Sequence, residues 1–171
     1  MFAFFRSLRK ATRRAILPCA AFALAACDPA ALGGLSGGPG IDTSKPVPVA
    51  LLVPRGSGQA SDDLLAQNLE NAARLAISGL NGVQIDLRVY GTAGNAQTAA
   101  SQAASAVNDG AKIILGPLYA EAANAAGVAA AAKGVNVLAF SNNTTIAGGN
   151  VFVLGSTFEN TADRLVSYAA S

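Results

Sequence analysis

The chain has 171 residues, twelve basic and ten acidic, for a net charge of +2, and 51% of it is apolar. It contains no His and two Cys, Cys19 and Cys27. A His-based catalytic triad is therefore excluded, as is a zinc site built from His and Cys. No basic patch interleaved with aromatic residues marks a nucleic-acid surface, so none is expected as a partner.

Residues 1–14 hold Arg6, Arg9, Lys10, Arg13 and Arg14 and no acid, and Ala15 to Ala26 follow as twelve residues without a charge. A membrane-spanning helix needs about 20 apolar residues, so this run is too short. A basic segment, a short apolar core and a small-residue exit spell a secretory signal instead. The competing reading is a buried or amphipathic helix, against which stand Pro18 and the lack of a polar face. The exit, Leu24-Ala25-Ala26-Cys27, resembles the lipobox of bacterial lipoproteins. That resemblance implies lipidation of the Cys27 thiol and a cleavage that makes Cys27 the first residue. The N-terminal lipid would then hold the protein to the inner or outer membrane, facing the periplasm. Cys19 is the rival acceptor, but Pro18 precedes it where a small residue is wanted. Without residues 1–26 there remain seven basic and ten acidic residues, a net −3, so the basicity belongs to the leader. No cysteine pair is left for a disulfide.

Residues 28–46, rich in Gly, Pro and Ser, read as a tether after Cys27. At roughly 5–6 Å × √n it reaches about 25 Å, enough to lift a domain off the headgroups. Then strands and helices alternate. VPVALLV (47–53) is an apolar run of strand length. A helix follows over 66–77, with Leu65, Leu69, Ala72 and Ala76 as its stripe, Ser61 or Asp62 as its cap and Gly79 at its end. VQIDLRVY (83–90) alternates, with Val83, Ile85, Leu87 and Val89 on one face and Gln84, Asp86, Arg88 and Tyr90 on the other. Asn95 caps a helix through Asn108. AKIILG (111–116) is a buried strand, Leu118 to Lys133 an alanine-rich helix, VNVLAFS (135–141) a strand, and NVFVLG (150–155) a fifth.

This alternation predicts an α/β fold: an open parallel sheet with helices on both faces, built from right-handed crossovers. Four strands read as apolar runs, which fits strands covered on both sides. Only the second alternates, so it belongs at an edge, and the order 2-1-3-4-5 puts it there. The fifth strand is then the other edge and needs covering.

Ligands of such sheets bind beyond the C-terminal ends of the strands, near the switch point. Three loops qualify. The first is PRGSGQAS (54–61), with Ser57; it lacks the Gly-Lys-Ser/Thr of a phosphate loop and the third glycine of a dinucleotide fingerprint. The second, GPLYAE (116–121), carries Leu118, Tyr119 and Ala120. The third, SNNTTIAGG (141–149), offers Ser141, Asn142, Asn143 and Thr144, whose hydroxyls, amides and backbone N–H groups suit a small polar ligand. The bland alternatives are a turn-rich loop for the third and packing at a helix start for Tyr119. Arg55 either pairs with a carboxylate or is a solvated loop charge. No catalytic residue, metal or cofactor is expected, since no nucleophile–base pair exists and Asp62, Asp63, Asp86 and Asp109 suit solvated roles.

The combination of VPVALLVPRGSGQ, NLENAARLAISGLNG and AKIILGPLYAEAANAAGVAAAAKGVNVLAFSN resembles the type I periplasmic binding proteins of the leucine/isoleucine/valine-binding kind. The resemblance covers residues 47–171. It implies two hinged α/β lobes around a cleft, with 47–155 as the first lobe and 156–171 as the crossover and start of the second. It further implies a small polar ligand such as an amino acid, held at Leu118–Ala120 and Ser141–Asn143, and an ABC permease as partner. The paired asparagines and the leucine after Gly-Pro depart from the amino-acid binders. They are similar to the penicillin-binding protein activators, lipoproteins of the same fold that act on peptidoglycan synthases. An enzyme on this fold is the third reading.

Overall fold

A computed structural model describes residues 39–170. The leader, the lipobox with Cys27, the rival Cys19 and the tether up to residue 38 lie outside the described residues. Five strands alternate with helices: β1 (Val47–Val53), α1 (Ala60–Ser78), β2 (Ile85–Gly91), α2 (Ala96–Asn108), β3 (Ile113–Leu115), α3 (Ala120–Ala131), β4 (Asn136–Ala139), β5 (Val151–Val153) and α4 (Phe158–Ala169). All pairings are parallel and the order is β2-β1-β3-β4-β5, as the strand patterns predict.

The side chains of β1 divide the core in two, because successive residues point to opposite faces. Ala50 and Leu52 join Ile114, Val137, Ala139 and Val151 beneath α2 and α3. Those helices contribute Ala103, Ala106, Ala123, Ala126 and Ala130, so they lie close to the sheet. Asn150 reinforces this side by donating from Nδ2 to the carbonyls of Gly127 and Val135. On the opposite face Leu51 and Val53, with Leu87, Val89 and Leu115 beside them, meet Ala66, Leu69 and Ala73 of α1. The strand patterns call for cover on both faces, but here it stops at α1. Leu115 and Leu138 are only half-buried, and Phe152 of the edge strand is 48% exposed.

Several local expectations are corrected. Helix α1 starts earlier, at Ala60, and its N-cap is Gln59 without a side-chain bond, not Ser61 or Asp62. The turn is closed instead by Ser57 Oγ, which accepts from the Gln59 N–H, and by Asp63 Oδ1, which accepts from the Gly56 N–H. The buried stripe also differs: Ala66, Leu69 and Ala73 face the core, while Ala72 and Ala76 are exposed. Helix α3 begins at Ala120 rather than Leu118, because Tyr119 before it is extended and serves as its N-cap. Tyr90 packs against the α2 side and donates to Asp109 Oδ2. Asn95 caps α2 as expected, accepting from the Thr98 N–H, and Gly79 ends α1. Among the described residues no helix is long and apolar enough to cross a membrane.

Candidate ligand-binding crest

The strand order reverses direction between β1 and β3. The chain leaves β1 for α1 on one face and leaves β3 for α3 on the other, which opens a crevice at the C-terminal edge. The loops after β1, β2 and β3 meet there. A Cβ placed on Gly94, in the loop after β2, would lie 3.4 Å from Asp62 Oδ2, 3.4 Å from Tyr119 Cε2 and 3.5 Å from Ser57 Cβ. Gly94 has φ +67°, and Ala93 before it has φ +50°. These left-handed residues let the Ala93 N–H reach the Arg55 carbonyl while Asn95 caps α2. Across the crevice the Tyr119 hydroxyl donates to Asp62 Oδ1 at 2.6 Å. That bond, followed by partial burial, raises the phenol above its ordinary range, so it is protonated at neutral pH.

Arg55 is the one cation on these loops, and it is engaged. Its Nη2 donates to Glu70 Oε2 at 2.8 Å, and Arg74 donates to Oε1 of the same carboxylate. The bonds from Arg55 and then Arg74 hold Glu70 below the usual carboxylate range. The acids noted in the sequence also have partners: Asp62 with Tyr119, Asp63 with the Gly56 N–H, Asp86 with Arg88 and Asp109 with Tyr90.

The loop after β4 supplies the second group. Ser141 is buried, at 4% exposure, and its Oγ accepts from the Asn143 N–H at 3.1 Å. Asn143 Oδ1 in turn accepts from both the N–H and the hydroxyl of Thr145, folding 144–146 into a single 3-10 turn. Asn142, Asn143 and Thr144 are exposed. The Gly155 N–H donates to the Ser141 carbonyl, which ties this loop to the end of β5.

The predicted residues therefore fall into two neighbouring sets. Ser57 and Tyr119 converge near Gly94, and Ser141 to Thr144 share one turn. Leu118 and Ala120 flank Tyr119 where the β3–α3 loop enters α3, both partly buried. Sequence reasoning missed Asp62 and Gly94. The Asp62 signal was present as an acid in a helix start, but its partner lies 57 residues away. Among the described residues no group of His, Cys, Asp or Glu could hold a metal ion.

A sheet of this order with its loops gathered at one edge has the architecture of a doubly wound α/β lobe. The sequence model of the periplasmic binding protein family matches residues 46–171, and the chain belongs to that family. Two solved structures share the fold. One is a leucine-binding protein, LivK, from Thermotoga maritima MSB8: 18% identity, TM-score 0.58, covering 72% of this chain and 36% of that one. The other is LivJ, a branched-chain amino acid transporter substrate-binding protein from Streptococcus pneumoniae solved with isoleucine: 20% identity, TM-score 0.54, covering 64% and 33%. The chain thus spans about a third of either structure's length. Comparison with curated protein sequences returns no significant match.

Proposed function

We propose that the chain is the first lobe of a lipid-anchored, periplasmic solute receptor that presents a small amino-acid-like ligand to an ABC-type importer. The leader (1–26), the lipid on Cys27 with its tether to residue 46, the lobe over 47–155 and the crossover over 156–171 are parts of this reading. Family membership and the two amino-acid-binding neighbours support it. The observation that carries it is the β4 loop. Ser141 is a buried polar residue at the C-terminal edge of the sheet, and its oxygen orders a turn that holds the exposed residues Asn142, Asn143 and Thr144. The amide and hydroxyl side chains of such a turn offer donors and acceptors to a small polar ligand without a cation. The role is binding without catalysis.

A second reading is favoured by one feature. Asn143 and Tyr119 spend polar groups on their own neighbours, as suits a surface that docks on a protein. The partner in that reading is a penicillin-binding protein, and the chain is an activator of peptidoglycan synthesis.

Amide chemical-shift mapping with millimolar leucine, isoleucine or valine separates them. Closure around a ligand takes two lobes and the described residues supply one, so weak binding is expected, and this method detects it. Shifts confined to 118–120 and 141–144, and lost in Ser141→Ala, support the receptor. No shift with any of the three, together with binding to a purified peptidoglycan synthase, supports the activator.

A further inference from the structure

The crevice between β1 and β3 is where a sheet of this kind is most open, yet here a side chain spans it. Tyr119 leaves the β3–α3 loop, reaches the first turn of α1 and bonds Asp62 at 2.6 Å. Its ring lies against Gly94, where any larger side chain would meet both it and Asp62. Three loops that are remote in sequence therefore meet at one hydrogen bond. The pair is peripheral to the sheet's packing: Tyr119 is 40% exposed, and neither residue belongs to the two core clusters. Its neighbours are backbone groups whose bonds depend on loop position, namely Gly56 on Asp63, Gln59 on Ser57, Ala93 on Arg55 and Asn95 on Thr92.

We propose that the Tyr119–Asp62 hydrogen bond is a latch that closes the switch-point crevice, fixes the three loops around it, and confines the ligand to the Leu118, Ala120 and Ser141–Thr144 side of the crest. Tyr119 is then a positioning and specificity-determining residue that acts through Asp62. Its ring fills the space a longer side chain would otherwise enter, so the crest accepts a short ligand. The confinement of the ligand rests on the receptor reading; the latch does not.

Two measurements test it separately. The first is hydrogen exchange on the ligand-free full chain. Local opening governs exchange at loops, so loss of the latch should speed exchange at Gly56, Gln59, Ala93 and Asn95 by about tenfold or more. Tyr119→Phe and Asp62→Ala should both do this. Asp62→Asn, whose amide oxygen still accepts the phenol proton, should keep the protection. The amides of Leu51, Leu52 and Val53 serve as the control. Unchanged loop exchange in Tyr119→Phe overturns the latch. Equal acceleration in β1 also overturns it, because the bond would then be a general stability contact.

The second measurement is titration with isoleucine and with phenylalanine as probes. Tyr119→Ala should raise the phenylalanine-to-isoleucine affinity ratio by about tenfold or more, since the room gained is several methylenes wide. Tyr119→Phe, which keeps the ring but loses its tether to Asp62, should raise that ratio by less. An unchanged ratio in Tyr119→Ala overturns the confinement. Failure of the parent chain to bind either probe removes the receptor reading and the confinement with it, and exchange alone then decides the latch.

Discussion

Gly116 carries two constraints at once. Its φ is +80°, and a Cβ there would strike the Leu52 carbonyl oxygen on β1. Gly110 has φ +91° but open space around it. A left-handed conformation alone costs an L-residue about 1–2 kcal/mol. Gly110→Ala should therefore lose about 1 kcal/mol in urea denaturation. Gly116→Ala must also push backbone apart, so a loss of about 3 kcal/mol or more is expected. Equal losses would mean that β1 and β3 yield at that point. Glu70 gives a pH prediction. Its folded value lies below its ordinary 4.5, through Arg55 first and Arg74 second. The stabilisation is thus complete above the ordinary value and is lost as pH falls through the lowered one. Parent and Glu70→Gln should differ in urea midpoint at neutral pH and converge in strong acid. Because both arginines are exposed, added salt should shrink the difference too.

Helix α3 and strand β5 show how alanine and glycine set distances between elements. Gly127 faces Val151 so closely that a Cβ would overlap the valine's Cγ2. Gly127→Ala should destabilise by about 1–3 kcal/mol, as overpacking does. Val151→Ala costs about as much by leaving a cavity. Together the two should cost clearly less than their sum, because each relieves the other, and a double-mutant cycle reads the coupling. Additive losses would place the strain elsewhere. Pattern made these elements legible in the sequence. The alternation of β2 marked it as an edge, Asn95 announced α2, and alanine-rich α3 ended near Gly134. What failed has physical causes. The start of α1 depends on Ser57 and Asp63, which close the turn from outside any capping pattern. The α1 stripe depends on which side of the helix Leu51 and Val53 meet, a tertiary contact. In the crest, the β4 turn was visible as a cluster of polar residues. The Tyr119–Asp62 bond was not, because nothing local in either segment signals a contact 57 residues apart.

The two faces of the sheet are covered unequally, and α4 makes the imbalance larger. On the α2–α3 side Ile114, Val137 and Ala139 are fully buried. On the α1 side the cover ends near β3, which leaves Leu138 half-buried and Phe152 and Leu154 exposed. Helix α4 follows directly, and every residue from Phe158 to Ala169 is exposed. Phe158, Ala162, Leu165 and Ala169 recur at i, i+4, i+7 and i+11, the spacing of one apolar stripe. Phe158 is 83% exposed and Leu165 64%. Scattered apolar residues are ordinary on a protein surface, but a sheet edge and a helix stripe together exceed that. The purified chain should therefore bind a hydrophobic dye such as anilinonaphthalene sulfonate while keeping a fixed near-ultraviolet dichroism spectrum, which distinguishes it from a molten state. Light scattering should show association that grows with concentration and is not weakened by salt, since apolar contact and not charge drives it. The double substitution Phe158→Ser and Leu165→Ser should lower dye binding and association together while leaving the urea midpoint nearly unchanged, because neither side chain is buried. A parent chain that stays monomeric and dye-free at high concentration would mean that this surface is covered. A fall in the midpoint of the double variant would locate the cover within the chain itself.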